Sequence, residues 1–342
     1  MHTGSDKDSG RFGRRRFLTD TSALAAASVL GVPLTAAAEP PPETRRLRLV
    51  KVPAYCLAPE YLAEELLRLE GFSEIEYVTI NRPAGPDMLV ANRADIGAHT
   101  PAAAMADFDA GKPLVVLAGL HHGCYELVAN EPIRAIRDLK GRRVGVSTMG
   151  GLEYYFIASM VAYVGMDPNK DIEWVDLDGY EKIMPYFIEK KVDAILAFGT
   201  EPSYLRSRNI GRTLINITDD RPWEQYYCCM IASRKDFVAK NPIATKRAMR
   251  AILKATDMCA REPERAARLI VAKGYESSYE AALKLLKALS YNRWRTYNPE
   301  DSLRFYGVRL HDSGMIKSDP NKLIAQGTDW RFVNELKKEL KA

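Results

Sequence analysis

The least ordinary stretch of the chain is His121-His122-Gly123-Cys124, two imidazoles and a thiol within four residues. Imidazole and thiolate are the usual ligands of a soft metal, and a single imidazole also serves as a hydrogen-bonder to a bound molecule. Neighbouring residues on a strand point to opposite faces, so at most one of His121 and His122 can reach a given site. Further metal ligands would have to come from elsewhere. His99 is the other central histidine, the five cysteines are scattered, and no CxxC occurs. The expectation is therefore no metal and no cofactor, with His122 as a candidate ligand contact. Ser147-Thr148-Met149-Gly150-Gly151 offers different chemistry: two hydroxyls beside two glycines that let backbone approach a small molecule closely. N–H groups at the start of a following helix would suit carboxylate, sulfonate or nitrate oxygens. No Gly-Lys-Ser/Thr follows, so this is not a nucleotide P-loop. In Ala98-His99-Thr100-Pro101, Thr100 is placed to cap a helix beginning at Pro101, whose first N–H groups would again favour an anion. Glu201, after Phe198-Gly199-Thr200, either pairs with a cationic part of a ligand or caps its own helix. Tyr55 and Cys56 supply a ring, a hydroxyl and a thiol, and Tyr226 a further ring. No Ser-His-Asp set, zinc spacing or spaced carboxylate pair can be assigned, so no catalytic residue is expected.

These residues fall in loops between alternating strands and helices. Strands are expected at 47–52, 75–80, 95–98, 114–120, 125–129, 143–146, 171–175, 194–197, 212–217 and 226–232. Helices are expected at 60–70, 86–93, 101–110, 152–164, 181–190 and 201–207, and then at 242–261, 263–273, 279–289, 299–314 and 330–340. Alternation of this kind argues for α/β architecture with mostly parallel sheets, in which ligands bind outside the carboxyl ends of strands. That rule is what selects the loops at Tyr55, His99, Ser147 and Glu201. No Pro/Gly/Ser linker cuts the chain into consecutive domains, which leaves interleaved lobes as the arrangement for a chain of this length.

Composition narrows the field further. With 342 residues, 46% hydrophobic and 27% charged, the chain has enough apolar content for a large core and too much charge for a multi-span membrane protein. A formal net charge of +5 is weak for nucleic-acid binding, and no nucleic-acid partner is expected. Residues 1–38 read as an export leader. Arg14 and Arg15 precede a short Ala-rich apolar stretch, and Ala36-Ala37-Ala38 supplies a cleavage site. The paired arginines followed by x-Phe-Leu resemble the twin-arginine export motif. Cleavage after Ala38 lowers the net charge to +3 and leaves a soluble periplasmic protein.

The order of several short motifs carries a resemblance. Ala58-Pro59-Glu60-Tyr61-Leu62-Ala63-Glu64 is followed by Arg93-Ala94-Asp95-Ile96-Gly97, then Asp138-Leu139-Lys140-Gly141-Arg142-Arg143-Val144-Gly145-Val146, then Val192-Asp193-Ala194 and Glu201-Pro202. From about residue 47 to 340 the chain resembles the sulfonate/nitrate/taurine (NMT1/THI5-like) type of ABC-transporter solute-binding protein. The resemblance implies a two-lobe type II periplasmic-binding-protein fold, with lobe one at 46–125 and 228–342, lobe two at 126–227, and two hinge crossings. It implies a small solute, an oxyanion such as a sulfonate, nitrate or organic acid, captured as the lobes close. It implies an inner-membrane permease as partner, a monomeric receptor and no catalysis. The same superfamily holds thiamine-pyrimidine synthases, but their cysteine-rich run is missing here, and a solute sensor would share every feature. Side-by-side crossings would place Cys124 near Cys228 or Cys229, as a disulfide or as buried free thiols.

Overall fold

The computed structural model describes residues 39–52, 55–79 and 85–341, without the side chains of residues 55, 85 and 86. The expected leader with Arg14 and Arg15, and the Tyr55 side chain, lie outside what is described. Two five-stranded sheets organise the chain. The first has the order β2-β1-β3-β10-β4, with β1 at Arg46–Lys51, β2 at Glu74–Thr79, β3 at Ile96–His99, β4 at Leu114–His122 and β10 at Tyr227–Arg234. The second has the order β7-β6-β8-β5-β9, with β5 at Tyr125–Ala129, β6 at Arg142–Val146, β7 at Ile172–Asp176, β8 at Ala194–Phe198 and β9 at Arg212–Asn216. The α/β class, the two-sheet architecture and the mostly parallel strand course match the sequence reading, with one reversed strand making each sheet mixed. β10 runs antiparallel to β3 and β4, and β5 antiparallel to β8 and β9. The reason is connectivity. β5 and β10 each enter a sheet from the crossing, where the parallel strands end, and so must run back along it.

The chain leaves the first sheet at His122, joins the second at Tyr125, and returns at Tyr227. The crossings are bonded to one another: Ile217 N–H donates to the Tyr125 carbonyl (3.1 Å) and Cys124 N–H to Thr218 Oγ1 (3.3 Å). Cys124 holds φ of +100°, a region a non-glycine residue enters only when its surroundings impose it.

A shared device fastens each sheet. Asp95, just before β3, accepts from the Arg48 backbone N–H (2.9 Å) and guanidinium on β1. Asp193, just before β8, does the same for Arg143 on β6 (3.0 Å to the backbone N–H). The edge of β4 is covered rather than open, because Thr328 bridges Val116 and Asp329 N–H donates to the Val116 carbonyl. Glu43 accepts from the Ile243 and Ala244 N–H groups at the start of the long helix Pro242–Arg261. Of two apolar clusters among the described residues, the larger runs through both sheets and the smaller packs around Phe187 in the second. Across the lobes, Phe156 of helix Leu152–Tyr163 meets Tyr306 of helix Pro299–Asp312 edge-on, with ring centroids 5.3 Å apart. Among the described residues, no helix is long and apolar enough to cross a membrane.

Candidate functional site

Loops from the two sheets converge on a buried polar interior between them. The first sheet contributes Cys56, in the 3-10 turn after β1, and His121, near the end of β4. Cys124 lies on the first crossing. Cys229 sits directly opposite His121 across the β10–β4 pair, where an irregular register admits Cys228 as an extra residue. The four donor atoms of Cys56, His121, Cys124 and Cys229 all lie within 4.8 Å of one another, and all four residues are buried. The His121 Nδ1–H donates to the His122 carbonyl (3.3 Å), while its Nε2 has no partner. Hydrogen bonds from Cys124, Cys228 and Cys56 push the Cys229 thiol down, and burial pushes Cys56, Cys124 and Cys228 up. All five cysteines are thiols. The Cys124 and Cys228 sulfurs are 3.0 Å apart, so the pairing left open by sequence is a thiol contact here and not a disulfide.

Acids and tyrosines surround this cluster. Glu60 is fully buried with both carboxyl oxygens unpartnered, and burial, then the neighbouring Cys229 charge, push its pKa up to about 8. The Ser147 hydroxyl donates to Glu153 Oε2 (2.7 Å), and burial holds the Glu153 carboxyl above its ordinary value. Glu201 Oε2 accepts from the Phe198 N–H (2.8 Å) and the Tyr180 hydroxyl (2.9 Å), and burial raises its pKa too. Burial first, and then the Glu201 carboxyl to which it donates, raise the Tyr180 pKa. Tyr291 donates to the Cys56 carbonyl (2.9 Å). Among the described residues the one buried arginine or lysine is Arg234, tied to Asp236 and the Ala94 carbonyl at the far end of β10.

The family model described as NMT1/THI5 like matches residues 74–266, more than half of the chain. The chain belongs to the NMT1/THI5-like family. Among curated proteins, no sequence matches. Solved structures are similar in fold. The periplasmic nitrate-binding protein NrtA of Synechocystis PCC 6803 superposes with a TM-score of 0.75 at 15% identity, covering 88% of this chain and 90% of that one. The alkanesulfonate-binding protein SsuA of Xanthomonas axonopodis pv. citri, bound to MOPS, gives 0.68 at 15% identity, covering 86% and 100%. The ligand-binding component of an ABC-type import system from Staphylococcus aureus, with zinc bound, gives 0.68 at 12%, covering 86% and 99%.

In this NMT1/THI5-like chain the structure sorts the residues singled out from sequence. Cys56 joins Cys124 and Cys229 in the buried cluster, while Ser147 bonds Glu153 and Glu201 bonds Tyr180. His122 is not in that cluster. Its side chain lies on the other face of β4, donating from Nδ1 to the Glu224 carbonyl (3.1 Å), edge-on to Tyr227 and tilted against Tyr297; burial lowers its pKa to about 3. His121, not His122, lies with Cys56, Cys124 and Cys229. His99, at the end of β3, is committed to the helix that follows, bonding Asp107 through Nε2 and accepting from the Thr100 N–H at Nδ1, each at 3.0 Å. Thr100 stands at the N-cap position of helix Pro101–Asp109, yet its buried hydroxyl makes no capping bond. The loop Thr148, Met149, Gly150 and Gly151 is partly satisfied within itself and by its own lobe. Met149 N–H donates to Asp176 (3.1 Å), Gly151 N–H to the Thr148 carbonyl (3.0 Å), and Gly150 takes φ of +73°. Glu153, in the first turn of that helix, already sets a carboxyl where an incoming anion was expected. Tyr226 stacks on Phe305 at 3.8 Å between centroids. Glu60, Glu153, Tyr180 and Tyr291 were not anticipated. Glu153 carried a signal, an acid two residues beyond Gly151 at a helix start, which reads as ordinary capping.

Proposed function

We propose that this chain is the solute-binding receptor of an ABC importer, holding one small solute between lobes 46–125 with 228–342 and 126–227. The observation that carries the reading is the convergence of loops from both sheets on one buried polar interior, with paired crossings as the hinge. A solute contacting both lobes stabilises their closed arrangement, and a membrane permease would read that state. The nitrate-binding, alkanesulfonate-binding and ABC-import neighbours support this reading. The protein would act as a monomer in the periplasm after removal of the twin-arginine leader, binding its solute without chemical change.

The solute itself follows from the charges. An oxyanion needs donors and benefits from a cation, yet Glu60, Glu153 and Glu201 are the ionisable side chains of this interior. Three acids held toward their neutral form, with tyrosine rings beside them, suit an uncharged or cationic small molecule with aromatic character. A thermal-shift panel tests both parts, since a ligand of the folded state raises the melting temperature. Pyrimidines and small amines are expected to raise it more than nitrate, taurine or MOPS. A larger shift with the anions overturns the solute class, and no shift with any compound overturns the receptor reading.

A further inference from the structure

We propose that Cys56, Cys124, Cys229 and His121 form a tetrahedral site of three sulfurs and one nitrogen for one thiophilic divalent cation, Zn2+ above all. The site goes beyond solute binding and does not rest on it. Zn–S distances of ~2.3 Å and a Zn–N distance of ~2.0 Å set donor separations of roughly 3.4–3.8 Å around a tetrahedron. Donors already within 4.8 Å of one another need to draw in by at most about 1.4 Å to meet that geometry.

The histidine is prepared for the role. With Nδ1–H given to the His122 carbonyl, its unprotonated nitrogen is Nε2, which is buried and without a partner. A ring nitrogen fixed by a backbone carbonyl, leaving the other free for the ion, is the arrangement metal-bound histidines adopt. The backbone supports it too. Cys124 is held at positive φ with its N–H on Thr218, and the extra residue at Cys228 lets Cys229 stand opposite His121. Binding would take the three sulfurs as thiolates, and the protons they hold would go to solvent. An ion there would tie the turn after β1 to β4, to β10 and to the first crossing, so it would brace the hinge at its root. The zinc-bound Staphylococcus aureus neighbour is only 12% identical and speaks to fold alone; the inference rests on this chain's own four donors.

The test uses the purified chain, reduced, freed of metal by chelation, loaded with Zn2+ or Co2+ and desalted. The expected result is about one metal per chain, with a Co2+ spectrum showing tetrahedral d–d bands and thiolate charge transfer. Cys56→Ser, Cys124→Ser, Cys229→Ser and His121→Ala are expected to weaken binding by about 100-fold or more. Cys259→Ser, on the separate helix Pro242–Arg261, is expected to keep full loading. Metal lost on desalting, a Co2+ spectrum without thiolate bands, or full loading in Cys56→Ser and His121→Ala overturns the proposal. So does a Cys124–Cys228 disulfide found by mass spectrometry after thiol blocking without reductant. Where a variant fails to fold by circular dichroism, the wild-type Co2+ spectrum decides.

Discussion

Replacing Glu60 with glutamine is expected to remove a pH dependence that burial builds into the fold. Glu60 lies on the short helix Ala58–Leu62, fully buried, and neither carboxyl oxygen has a partner. Its pKa rises from 4.5 to about 8 in the folded chain, through burial first and the Cys229 charge second. Between these values the native state keeps a proton that the unfolded state releases. Its stability contribution is therefore complete below pH 4.5 and declines as pH rises toward 8. At about 1.4 kcal/mol per pH unit the loss amounts to about 5 kcal/mol across the window. Glutamine keeps the shape and cannot ionise, so Glu60→Gln abolishes that slope. The assay is urea unfolding of metal-free, reduced protein from pH 5 to pH 9, wild type beside variant. All other groups titrate in both proteins, so the difference between the two curves isolates Glu60. The variant should gain on the wild type steadily up to about pH 8 and then level off. Parallel curves over the whole range would refute the reasoning.

Other consequences are equally direct. Asp193→Ala leaves the Arg143 backbone N–H and guanidinium without their acceptor and should cost about 1–3 kcal/mol; Asp95→Ala should cost at least as much, its carboxyl being more deeply buried. An unfolding midpoint unchanged in both would show that the shared fastening does nothing. Gly119→Ala builds a Cβ 2.2 Å from the Tyr227 ring, which is buried and bonded to the Arg293 carbonyl, so a loss of about 1–3 kcal/mol is expected in urea unfolding. Wild-type stability there would mean that β4 and β10 part readily. Phe156→Ala removes a buried ring set between Tyr125 and Tyr306 and should cost about 3–5 kcal/mol, with calorimetry showing the lobes melting in separate steps. A single transition at the wild-type temperature would count against a packed contact between lobes.

The parts of the fold legible in sequence are those set by local pattern. Helices Pro242–Arg261 and Tyr279–Ala288 fall where the periodicity puts them, and the motifs around Asp95 and Asp193 prove to be one strand-fastening device used twice. The helix Pro320–Gly327, capped by Asp319 accepting from the Lys322 N–H, escaped notice although an Asp-Pro start announces it. What local pattern cannot give is parity and partnership. Strand alternation says that His121 and His122 diverge but not which faces inward; that depends on the register against β10 and the extra residue at Cys228. The antiparallel course of β5 and β10 depends on where the chain crosses, which no strand records in itself. Glu60 and Glu153 read as routine acids at helix starts because sequence shows their positions along the chain and not their burial. Cys56 and Cys229 are 173 positions apart, so their meeting is a property of the topology alone.

The central claim is closure of two lobes around a solute, and a distance across the hinge tests it most directly. Spin labels on cysteines introduced at exposed Glu65 and Glu173, one on each sheet's side of the crossings, report that distance while the native thiols stay buried. The account predicts a broad or two-peaked distribution without solute that collapses to one short distance with any compound that raises the melting temperature. A single distance that such a compound leaves unchanged would contradict it.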